Sequence, residues 1–108
     1  MKDLGSIMKQ AQAVQQRMAE AQEKISALEV IGTAGGGAVS LTLRGSGALV
    51  KLDIEAGLMA PGESDMVADL VIAAHADAKR QLDAQQESLM REAAGPLAGL
   101  NIPGLPKF

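Results

Sequence analysis

The sequence predicts an α+β fold in the order α-β-β-β-α, and three observations lead there. A heptad seam runs from Leu4 to Leu28. Two glycine clusters, Gly35-Gly36-Gly37 and Gly45-Ser46-Gly47, each lead into residues that alternate apolar and polar. A second helical period begins near Ser64 and stops before Gly95-Pro96.

The first element is a long amphipathic helix over about residues 3–27. Leu4, Ile7, Ala11, Val14, Met18, Ala21, Ile25 and Leu28 recur at alternating spacings of three and four, the signature of a seam that faces another helix. The positions between them are mostly Gln, Glu and Lys, which are good helix formers with solvated side chains. Glu20 and Lys24 stand four apart in the favourable orientation for an ion pair. Some 25 residues rise ~37 Å, whereas a compact chain of this size has a radius of gyration near ~13 Å. The helix therefore spans the globule or projects from it. A projecting apolar seam has to be covered by another helix.

Three strands follow, near residues 28–33, 38–44 and 48–55. Val39, Leu41 and Leu43 alternate with polar neighbours, and so do Val50, Leu52 and Ile54. Period two means a strand with one face buried. Short glycine turns make an antiparallel meander, with Val39, Leu41 and Leu43 across from Val50, Leu52 and Ile54. That apolar face is expected to lie under the helices. The edges of a three-stranded sheet invite pairing with another copy.

The last helix has Ser64 as N-cap and Asp65 in its first turn. Val67, Leu70, Val71, Ala74, Ala78, Leu82 and Leu89 mark one face, alanine-rich in the middle, which permits close approach. Residues 1–94 read as a single domain. Residues 95–108 read as a flexible Gly/Pro-rich tail, whose Leu97, Leu100, Ile102 and Leu105 can dock on an apolar groove.

Composition narrows the function. The chain has 108 residues and a formal charge of −3, from 13 carboxylates against 10 Lys and Arg. It has no Cys, no run of 18 apolar residues and no signal-peptide core, which together predict a soluble cytoplasmic protein. Trp and Tyr are absent and the only Phe is Phe108, so there is no aromatic platform for single-stranded bases. His75 is the only histidine, too few N or S ligands for a zinc site, and no nucleophile motif accompanies it. It reads as a helix-surface or partly buried histidine. The acidic residues Asp65 and Asp69 complement a helix N-terminus. The glycine clusters do not match G-x-G-x-x-G or a P-loop, and both open strands rather than helices, so they read as turns. The expectation is a non-enzyme without catalytic residues, metal, cofactor or small-molecule substrate.

Three blocks resemble the YbaB/EbfC family of bacterial nucleoid-associated proteins: "MKQAQAVQQRM" (Met8 to Met18), "LEVIGTAGGGAVSLTLRG" (Leu28 to Gly45) and "DMVADLVIAAHADA" (Asp65 to Ala78). They occur in order and at matching spacing over nearly the whole chain. The resemblance implies a tweezer-like homodimer with projecting helical arms, a place in the nucleoid, and binding of duplex DNA with weak or no sequence preference. From that follows a reach over nucleoid organisation and gene expression. Two positions depart from the family pattern. Ile54-Glu55-Ala56 stands where an Ile-Asp-Pro step is frequent, and Ala76 where an Asn often precedes Asp-Ala.

A DNA surface on an acidic chain has to be local, because duplex affinity comes mainly from Lys and Arg meeting phosphates. The first helix is the best candidate. Lys9, Arg17 and Lys24, spaced by eight and seven, line a flank beside the seam, with Lys2 before them. Arg44 and Lys51 flank the middle hairpin as a smaller basic spot. The seam residues Leu4, Ile7, Val14, Met18, Ile25 and Leu28 are the candidate helix or dimer contact. A second reading stays open: a dimeric helical scaffold or adaptor that grips a protein partner and has little DNA affinity of its own. The acidic balance and the apolar tail favour it.

Overall fold

The computed structural model describes residues 4–95. In chain order it has α1 (Leu4–Ala27), β1 (Glu29–Ala34), β2 (Val39–Arg44), β3 (Leu49–Ile54) and α2 (Ser64–Ala93). The strands form one antiparallel sheet in the order β1-β2-β3. The expected tail lies outside the described residues apart from Gly95, and so does Lys2.

The core is a small apolar layer between α2 and the first two strands. Val30 of β1 and Val39, Leu41 and Leu43 of β2 are buried against Ala74, Ala78 and Leu82 of α2. The alanine stretch of the helix has a partner in the sheet. A methyl group built on Gly32 would stand 2.1 Å from the Ala74 carbonyl oxygen and 2.5 Å from the Ala78 nitrogen. Glycine and two alanines thus bring the helix backbone down onto β1. Both glycine clusters are turns, as their sequences require. Gly35, Gly36 and Gly37 all have positive φ between β1 and β2, where other residues are strained. Gly47 closes the β2–β3 turn by donating its backbone N–H to the Arg44 carbonyl at 2.7 Å.

The two helices run antiparallel and meet beyond the sheet. Gln86 of α2 donates to the Gly45 carbonyl at 2.9 Å. A methyl group on Gly45 would fall 1.5 Å from the Ile25 carbonyl oxygen of α1, so the root of the arm packs directly on the β2–β3 turn. Further out, Gln22 of α1 approaches the Met90 sulfur of α2. The outcome is an elongated molecule, 76 × 23 × 18 Å with a radius of gyration of 20.2 Å, well above the ~13 Å of a compact domain of about 100 residues.

Four expectations need correction. First, the helices do not cover the whole apolar sheet face. α2 lies chiefly over β1 and β2 and α1 packs chiefly on α2, so that of β3 Ile54 packs against the core while Leu49, Val50 and Leu52 are exposed. Second, Val39 and Leu41 pair with Ile54 and Leu52, but a bulge between Thr42 and Leu43 puts Leu49, not Val50, opposite Leu43. Third, α2 already includes Ser64, and Glu63 precedes it without a side-chain cap. Fourth, Lys24 makes no ion pair with Glu20 among the described residues.

The seam of α1 is covered only at its inner end. Ala21 and Ile25 are buried, Val14 and Met18 are half-buried, and Leu4 and Ile7 are 69% and 53% exposed. The reason is length: α2 ends at Ala93, next to Arg17 and Ala21, so the first three turns of α1 have no described helix beside them.

Candidate nucleic-acid interface

The sign of charge differs between the two helices. α1 carries Lys9, Arg17 and Lys24 against Glu20 and Glu23. α2 carries Lys79, Arg80 and Arg91 against Asp65, Asp69, Asp77, Asp83, Glu87 and Glu92. Between Leu4 and Arg17 the projecting half of α1 has cations and no carboxylate.

Pairing sharpens the contrast. Among the described residues, every Lys or Arg outside α1 has a carboxylate close by. Arg44 reaches Glu29 at 3.9 Å across the β1–β2 pair, and Lys51 reaches Asp53 at 3.7 Å along β3. On α2, Lys79 pairs with Asp83, Arg80 with Asp77 at 3.5 Å and Arg91 with Glu87 at 2.6 Å. Such exposed pairs stabilise the fold little. They do decide which positive charges are already neutralised. Lys9, Arg17 and Lys24 have no carboxylate within 4.0 Å among the described residues, and all three are exposed.

The candidate residues therefore separate. Arg17 and Lys24 come together on the rim of a shallow groove between α1 and α2, which Glu20, Glu92, Leu89 and Ala93 also line. Lys9 lies eight residues further out, ~12 Å along the helix, past the end of α2. Arg44 and Lys51 form the smaller hairpin spot, but each is held by an acid. Val14, Met18, Ile25 and Leu28 of the seam are at least half-buried, while Leu4, Ile7 and Ala11 stay exposed.

Two residues outside the candidate set shape the other end of the molecule. Asp77 accepts the Thr33 backbone N–H at 2.9 Å, and Gln81 donates to the Ile31 carbonyl at 2.9 Å. Thr33 and Ile31 lie on the outer edge of β1, so two side chains of α2 occupy that edge. The Thr33 N–H holds the Asp77 carboxyl below the ordinary aspartate value, with Gln81 and Arg80 adding to the effect and partial burial opposing it. The sequence signal was the Asp-Ala pair within "DMVADLVIAAHADA", recognised as a block but not as an edge clamp. His75, next to Ala76 on the same helix, is exposed. No group of three or more metal-ligating side chains exists among the described residues. No helix among them is long and apolar enough to cross a membrane.

A three-stranded sheet clamped by one helix, with a second helix extended into a cationic arm, defines a class of small α+β arm proteins. The chain belongs to the YbaB/EbfC DNA-binding family, whose model matches residues 1–97. It is 61% identical to a nucleoid-associated protein of Phenylobacterium zucineum (strain HLK1), over 100% of this chain and 99% of that one. It is 58% identical to a nucleoid-associated protein of Caulobacter sp. (strain K31), over 98% and 96% of the two chains. A crystal structure of an uncharacterized protein from Helicobacter pylori has the same fold. It superposes with a TM-score of 0.68 at 20% identity, over 85% of this chain and 97% of that one.

Proposed function

We propose that this chain is a nucleoid-associated protein that binds duplex DNA as a homodimer with little sequence preference, through phosphates rather than bases. Its role is architectural and not catalytic, it needs no cofactor, and it works in the nucleoid. The observation that carries this reading is the set of cations on α1 that have no carboxylate within 4.0 Å among the described residues. Phosphates compete for cations, and a cation already beside a carboxylate gives up that contact to bind one. Among the described residues, Lys9, Arg17 and Lys24 have none to give up. Family membership and the names of the relatives support DNA as the polyanion.

The chemistry of the arm favours non-specific binding. Lys and Arg on a solvated helix flank reach phosphate oxygens, which carry no sequence information directly. With no Trp or Tyr in the chain, exposed bases have no stacking platform, which favours duplex over single strands of equal length.

A salt-titrated gel shift on random duplex tests the reading. Each phosphate contact should contribute about 0.9 to the fall of log K with log salt, so three cations on each of two arms allow a slope up to about −5. Changing Lys9, Arg17 and Lys24 together to Ala should weaken binding to all sequences alike and flatten the slope. It should leave the dimer intact, because none of the three lies on the seam. Unchanged affinity and slope would remove α1 as the DNA surface. If the unaltered protein fails to shift duplex even at low salt, the scaffold reading takes its place. The net charge of −3 and the carboxylates of Glu20 and Glu92 in the groove favour that alternative.

A further inference from the structure

We propose that the bare outer stripe of α1 joins the same stripe on a second copy of this chain, with the two helices antiparallel. This contact is separate from any made through the sheet. Leu4, Ile7, Ala11 and Val14 stand at alternating spacings of three and four, the a and d positions of two heptads. The same line continues inward through Met18 to Ala21 and Ile25, which are buried where α1 meets α2. α1 thus carries one seam in two halves. The inner half has its partner helix within the chain, and the outer half has none among the described residues. Leu4 and Ile7 are 69% and 53% exposed.

Three observations select the occupant and its direction. The first is the path of α2, which runs antiparallel to α1 and ends at Ala93, beside Arg17 and Ala21. A second α1 laid antiparallel runs the same way as α2 and enters the seam where α2 leaves it. The second is volume. A twofold axis level with Lys9 sets Leu4 against the other copy's Val14 and Ile7 against its Ala11, the larger side chain facing the smaller in each layer. A parallel register would stack Leu4 on Leu4 and Ala11 on Ala11, overfilling one layer and leaving a gap in another. The third is charge. From Leu4 to Gln16 the only charged side chain is Lys9. At about 100° per residue, Lys9 lies on the side of the helix opposite the stripe. Met8, Gln10 and Gln15, which flank the stripe, are neutral. No charge opposes the approach of two stripes, and both Lys9 side chains face outward from the join. The cationic face stays open, so the inference does not depend on DNA binding.

An anionic lipid surface is the weaker occupant. Helices that lie in a membrane interface are rich in Lys and Arg, whereas this stretch has one cation, turned away from the stripe. The join is small. It covers ~15 Å of helix and four apolar side chains on each copy, far below a standard-size interface. It therefore forms where copies are concentrated rather than in dilute solution.

The chain has no cysteine, so engineered thiols report cleanly. Ile7→Cys is made in one full-length preparation and Ala11→Cys in another. The two are mixed in equal amounts at high concentration under a mild oxidant, and the products are weighed by intact mass. The antiparallel join brings position 7 of one chain to position 11 of the other. The mixed disulfide should exceed both like-with-like products together by about tenfold, because that pair alone is held at high effective concentration. Random collision gives as much mixed as like-with-like product, and that equality would overturn the proposal. So would an excess of the like-with-like products, which assigns the stripe to a parallel join. An independent measurement uses Leu4→Gln with Ile7→Gln, which keeps good helix formers in α1. Sedimentation of the parent should show mass rising with concentration beyond the dilute species, and the rise should vanish in the variant. A rise that persists in the variant, or none in the parent, would overturn the join.

Discussion

Replacing Gly32 by Ala would drive a methyl group to 2.1 Å from the Ala74 carbonyl, backbone against backbone, with no flexible side chain to yield. The expected cost is about 1–3 kcal/mol or more, typical of overpacking, and a urea melt of the variant measures it. Asp77 makes a different kind of contact. Its carboxyl titrates below the ordinary aspartate value because the Thr33 N–H favours the ionised form. The sign follows from the direction. The stabilisation is complete above the unfolded-state pKa and is lost as pH falls through the lower folded-state value. Asp77→Asn should therefore flatten the acid side of the stability curve and leave its neutral-to-alkaline side parallel to that of the parent, as read from urea midpoints across pH. Neither residue's role was legible in the sequence. Gly32 sits alone in a strand pattern, and only the packed helix shows why a side chain is forbidden there. Asp77 looks like any helix-surface acid until β1 is placed beside it. The glycine clusters were legible, because the residues after a glycine cluster decide its use, and both clusters lead into strands. Calorimetry with ATP, GTP and NAD should accordingly show no specific heat of binding.

Elements were more legible than residues because periodicity is written in the chain itself. The heptad seam located α1, and alternation located β2 and β3 to within a residue or two. Register was harder to read. The bulge beside Leu43 shifts β3 by one residue relative to simple alternation, and nothing in "GSGALVKLDI" marks where the extra residue goes. Coverage was harder still. The sequence demanded a cover for the apolar face but did not state that α2 lies chiefly over β1 and β2. At this scale the cations can be ranked by experiment. Arg44 is already beside Glu29, so Arg44→Ala should change duplex affinity less than Lys9→Ala, whose cation is unpaired among the described residues. A gel shift at fixed low salt compares them directly. A larger loss from Arg44 would shift the DNA surface from the arm to the sheet.

The shape of the whole molecule argues for association. An extent of 76 Å with Leu49, Val50 and Leu52 exposed on β3 is an open structure for a chain of this size. Light scattering at micromolar concentration should give twice the chain mass. Leu49→Lys with Leu52→Lys should move it toward the monomer while far-ultraviolet circular dichroism stays unchanged, since neither side chain belongs to the α2-covered core. A dimer unaffected by both lysines would place the contact away from β3. The expectation of a partner rests in the sequence on apolar surface in excess of what one small chain can bury, and the light-scattering measurement tests it. Which apolar residues stay exposed was not legible, because it depends on which strands α2 covers.

The clamp on β1 sets the valency of the sheet. A strand array open at both margins can add neighbours without end, which is how fibres grow. Among the described residues, one margin is occupied by Asp77 and Gln81 of the chain's own helix, and the β3 margin is left to accept another strand. A unit with a single acceptor margin terminates its own propagation. Two copies joined there about a twofold axis consume both, and growth stops at a closed pair. Releasing the clamp with Asp77→Ala and Gln81→Ala would restore the second margin. Sedimentation should then show species beyond the pair, at concentrations where the parent shows none.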